Sequence, residues 1–143
     1  MRATAAAFLM AAGAAWGSGL DIINGERCWR FDLPDGRFGV TYHHSMYDQP
    51  VSEEFVVAGT LLELLRLESP SAAVLEYFGV TAPGESHVRE RRLPEIVMRV
   101  AMGESQVLHL GGMARSLREF GQPGDRIVLR AAGTRPCTRG NNG

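Results

Sequence analysis

The sequence predicts an all-β domain, mainly antiparallel, folded as a small β-sandwich or a partly open barrel with at most one short helix near residues 71–78. Two observations carry this. Short runs of alternating apolar residues recur at near-regular spacing, and glycine- and proline-rich turns separate them, a pattern that fits stacked or rolled sheets and not a βαβ fold. With 143 residues, 45% of them hydrophobic, the chain suits one domain with a modest core.

Taken in order, residues 1–17 read as a secretory signal peptide. Arg2 is a minimal positive start, Ala3 to Ala15 is apolar, and small residues around Ala15 and Gly17 offer a cleavage point. The run falls short of the roughly 20 apolar residues that span a bilayer, which favours a cleaved signal over the alternatives of an uncleaved anchor and a buried N-terminal helix. No stable membrane span is expected after cleavage, and the location expected is periplasmic or secreted. The single β domain then covers 18–137, and 138–143 form a polar, glycine-ended, flexible tail. In an oxidising compartment Cys28 and Cys137, the only cysteines, are candidates for a bridge between the first and last strands.

Arg27 to Leu33 reads as the first strand, with Trp29, Phe31 and Leu33 on one face, and Leu33-Pro34-Asp35-Gly36 as the turn after it. Residues 38–57 read as a hairpin. Thr60 to Glu68 is leucine-dense enough for a helix, but its length and its bounding Gly59 and Ser69-Pro70 favour a buried strand. Ser71 to Phe78 suits a short helix capped by Ser71 and stopped at Gly79. Strands are expected again at Ile96 to Met102, at Gln106 to Leu110 before Gly111-Gly112, and at Arg126 to Ala132 after the Gln122-Pro123-Gly124-Asp125 turn.

The hairpin holds the chemistry. A four-residue connection at Met46 to Gln49 would set His44 opposite Val51 and Tyr42 opposite Glu53, leaving His44 and Glu53 as the ionisable groups on the inward face, diagonal to each other. Such a pair can lock strand register inside a core, or serve as a base with its orienting carboxylate. Ser45 projects to the opposite face from His44, so a serine nucleophile assisted by that ring is disfavoured. A metal site could recruit Glu63 or His109 as a third ligand beside His44 and Glu53. Arg89, Arg91 and Arg92 form the densest basic cluster, either a solvated edge or a contact for a carboxylate or phosphate.

Tyr42, His44, Ser45, Pro50, Val51, Glu53 and Phe55, spaced Y-x-H-S-x(4)-P-V-x-E-x-F, resemble the signature hairpin of the DUF1850 family of small bacterial proteins. The likeness continues through Leu93-Pro94, His109-x-Gly111-Gly112 and the Pro123-Gly124-Asp125 turn. It departs after Ser69, where the family tends to carry a glycine-rich segment and this chain has Pro70-Ser71-Ala72-Ala73. The resemblance implies an exported, mainly β protein of unassigned activity, often encoded beside TRAP-type solute transporters of the TAXI class.

Composition narrows the rest. A net charge of −1 argues against a nucleic-acid partner. All 15 basic residues are arginine, which excludes Schiff-base, P-loop and Ser–Lys chemistry. What the resemblance implies, within those exclusions, is an accessory or binding module whose partners are TRAP transporter components or a small-molecule ligand, and no cofactor is expected. The alternative is a periplasmic metal-dependent or His/Glu-assisted hydrolase.

Overall fold

The computed structural model describes residues 18–79, 91–133 and 135–140; the expected signal peptide and Arg89 lie outside them. The described chain is mostly antiparallel β-structure in two sheets, a small β-sandwich with a single short α-helix.

The chain enters on β1 (Ser18–Asn24), which turns into β2 (Arg27–Leu33) through Gly25 and Glu26. Gly25 takes φ 60°, the backbone that a two-residue hairpin needs at its first position. The expectation that the first strand starts at Arg27 is thus corrected by one strand. β3 (Arg37–His44) and β4 (Gln49–Ala58) form the central hairpin, and β5 (Leu61–Glu68) adds to it. After α1 (Ala72–Tyr77) come β6 (Arg91–Leu93), β7 (Ile96–Arg99), β8 (Val107–Leu110) and β9 (Met113–Ser116). A 3-10 turn at Leu117–Glu119, β10 (Arg126–Ala131) and β11 (Thr138–Arg139) complete the chain.

One sheet runs β11-β2-β1-β10-β7 and the other β6-β5-β4-β3-β8-β9. Leu20, Ile22, Phe31 and Leu129 from the first meet Phe38, Val40, Phe55 and Leu108 from the second in one apolar layer. Except at a bulge in β5, inward residues alternate with outward ones along the strands of the two layers, so the core face follows from period-two patterning.

β5 is a strand, as its bounding residues favour, and its helix-like leucine spacing has a local cause. Register slips at the Glu54/Phe55 boundary because β5 carries one extra residue there, so Leu62, Leu64 and Leu67 all point inward. A bulge converts what looks like helical periodicity into a bent strand with three buried leucines.

Ser71 caps α1 by accepting a bond from Val74 N–H at 3.4 Å. The helix presses Val74 and Leu75 onto Val51 and Leu67, closing one end of the sandwich with a second, smaller core.

The segment read as a flexible tail begins differently. Thr138–Arg139 is β11, a parallel edge strand on β2, and Gly140 N–H donates to Arg30 O at 2.7 Å. Cys28 and Cys137 are joined in a disulfide, with Cα atoms 4.8 Å apart, which anchors this strap. Beneath it Arg30 grips the buried Asp21 through two bonds of 2.7 and 2.9 Å. The Asp21 hydrogen bond raises the Arg30 guanidinium above its ordinary value against the opposing effect of burial.

Candidate functional site

Tyr42, His44 and Glu53 do point inward, but in a different register from the one the sequence suggests. The turn spans Ser45 to Asp48, closed by Asp48 N–H donating to His44 O at 2.7 Å, with Asp48 at φ 48°. His44 therefore faces Gln49, Tyr42 faces Val51, and Glu53 faces Val40. The shift is even, so each residue keeps its face while changing its neighbour. Glu53 and His44 end up separated by four positions along β3, about 13 Å at strand rise, and the expected diagonal pair does not form.

Each group finds another partner. Glu53 lies diagonal to Tyr42 and shares a hydrogen bond with its phenol. Burial lifts the Glu53 carboxyl to about 7, while the Tyr42 bond and the charge of Arg91 pull it down. The Tyr42 phenol is raised as well, by burial first and by the Glu53 charge second. Arg91 sits on edge strand β6 opposite Leu64, so its position serves an internal carboxyl, whereas Arg92 pairs with Glu63 on the outer face at 3.4 Å.

His44 is buried among Tyr47, Tyr77 and Phe78, with ring centroids 5.2, 4.7 and 5.7 Å away. Its Nδ1 accepts the Met46 N–H at 3.3 Å, which places the proton of a neutral ring on Nε2. The lone pair that a general base would use is already engaged. Ser45 is exposed beyond it, while His43 turns to Asp48 and His44 to the Met46 N–H.

The three-ligand metal set is dispersed. His109 lies on the outward side of β8, where Thr41 Oγ1 is 3.1 Å from its Nε2, and Glu63 lies outward on β5. Among the described residues the one group of three candidate ligands is Asp21, Cys28 and Cys137. Its sulfurs form the disulfide and its carboxylate holds Arg30, so it is a clasp in the fold. The hydrolase expectation thereby loses the geometry on which it stood.

The feature the sequence reading passed over is on the outer face of the six-stranded sheet. Gly39 of β3 stands between Glu54 on one side and His109 on the other, and a Cβ there would lie 3.4 Å from the His109 side chain. Its missing side chain leaves a depression that widens into a groove of about 510 Å³ across β5, β4, β3 and β8. Thr41 and Ser52 supply hydroxyls; Arg37 and Glu54 pair at 3.0 Å; Arg66 pairs with Glu68. Thr41, Ser52 and Glu54 alternate with the inward residues and so share the polar outer face, and Gly39 among them is the signal of a hollow.

Comparison with family models, curated proteins and solved structures found no match. The chemistry of the groove and of the Tyr42–Glu53–Arg91 cluster therefore rests on this chain's own geometry. No described helix is long and apolar enough to cross a membrane, and the disulfide fits an oxidising compartment.

Proposed function

We propose that the chain is an exported binding module that holds a small polar ligand in the groove over Gly39 and acts as an accessory to solute uptake. The observation that carries this reading is the groove itself, which has the volume typical of small-molecule sites and gathers hydroxyl, imidazole, guanidinium and carboxylate groups from four adjacent strands. A rigid sheet holds such groups in fixed positions better than loops would. The signal-like residues 1–17 and the disulfide support export. The hairpin signature resembling DUF1850 supports partners of the TRAP, TAXI-class kind.

The test is a pull-down of the disulfide-bonded chain against subunits of a TAXI-class TRAP transporter, together with backbone-amide NMR of the isolated chain titrated with small solutes. The expected outcome is association with a transporter subunit and shifts confined to Gly39, Thr41, Ser52 and His109. Shifts spread over the helix α1 end, with none at these four residues, would overturn the placement of the site. Failure to associate would remove the accessory role.

A further inference from the structure

We infer that the groove selects small zwitterions, molecules with one ammonium and one carboxylate a few atoms apart, of which free α-amino acids are the simplest class. The inference deepens the reading of the groove as a ligand site and rests on it.

Charge order inside the groove is the argument. Across the sheet, Glu54 stands in register with Arg66 on β5, yet the two do not pair with each other; Glu54 takes Arg37 from β3, and Arg66 turns to Glu68 on its own strand. Two ion pairs thus lie side by side with alternating sign, and Asp35 adds a third carboxylate at the rim, where it accepts the Arg37 N–H at 2.9 Å. A simple anion entering here would be attracted by two guanidiniums and repelled by the three outward carboxylates, Asp35, Glu54 and Glu68, the side chain of Glu53 pointing to the other face of the sheet. A simple cation meets the reverse conflict, with both guanidiniums against it. A zwitterion meets neither, because its carboxylate can lie against a guanidinium while its ammonium lies against the neighbouring carboxylate.

Other classes fit poorly. The lining has no exposed aromatic ring on which a sugar or nucleobase can stack, since Phe38 is buried on the opposite side of the sheet. The hydroxyl of Thr41 and the ring of His109, bonded to each other beside the Gly39 hollow, offer hydrogen-bonding contacts for a side chain of the ligand.

The test uses probes that differ only in charge. L-alanine, N-acetyl-L-alanine and L-alaninamide are titrated into the disulfide-bonded chain at low salt and neutral pH, with D-glucose as an uncharged polyol, and the amide signals of Gly39, Thr41, Ser52 and His109 are followed. L-alanine is expected to bind at least about tenfold more tightly than either blocked form, and glucose not to bind. Glu54→Gln, an exposed change that leaves the core untouched, is expected to weaken L-alanine and to bring N-acetyl-L-alanine up toward it. Gly39→Val is expected to fill the hollow and abolish the response while the chain keeps its amide dispersion. Equal binding of alanine and a blocked form, or glucose binding at the same four residues, overturns the zwitterion class and leaves the groove as a site. No response there to any probe overturns the class and the site together.

Discussion

Glu53 owes its proton to where β4 puts it. Buried beside Tyr42, its carboxyl titrates at about 7 in the fold, compared with an ordinary value of 4.5. Between those values the folded chain binds more protons than the unfolded one, so unfolding free energy falls as pH rises. This contribution is complete below about pH 4.5 and gone above about pH 7, and its size is on the order of 3 kcal/mol. Glu53→Gln should therefore flatten the stability curve measured by urea unfolding at a series of pH values, with its largest gain over wild type above pH 7. Tyr42→Phe removes a bond that lowers the carboxyl and should move its NMR titration midpoint above that of the wild type. For His44 the expectation differs. His44→Ala should cost about 2–4 kcal/mol by emptying an aromatic cluster, and should leave metal content unchanged in elemental analysis. That these residues face inward is legible from alternation alone. Their partners are not, because strand alternation fixes which face a residue takes and says nothing about how far two strands slide in steps of two.

Local signals recover most strands and fail in informative ways. β2, β3, β4, β5, β7, β8 and β10 all fall where apolar alternation and turn residues place them. β1 escaped because Leu20, Ile22 and the adjacent Ile23 break strict alternation, and the Gly25-Glu26 hairpin after them was passed over. β9 escaped because Met113–Ser116 is too short and too polar to stand out from the Gly111-Gly112 turn. Helix α1 was legible since its cap, its formers and its stop agree. Ser71→Ala should cost about 1 kcal/mol, read as a lower melting temperature, because it leaves the Val74 N–H without its cap. With α1 loosened, the aromatic ring contacts around His44 should weaken first, detectable as line broadening of Tyr77 and Phe78.

The assembled sandwich creates what no single stretch contains. The groove draws on four strands that are consecutive in space but not in sequence, with β8 inserted beside β3 from far along the chain, so its outline was out of reach of pattern reading. The sandwich class itself was within reach, and so was the cysteine pair as a candidate. Replacing both Cys28 and Cys137 with serine should cost about 2–5 kcal/mol in chemical unfolding, in keeping with a closure spanning 109 positions. Reductant should lower the wild-type midpoint to that of the double variant and leave the variant unmoved. The same bridge also fixes what happens when the backbone is cut or stretched. Any single protease nick between positions 28 and 137 leaves one molecule of undiminished mass on a non-reducing gel, and only thiol treatment releases the fragments. Tension between the segments outside that ring is borne by the sulfur link and its flanking backbone, so the residues lining the groove stay off the line of force.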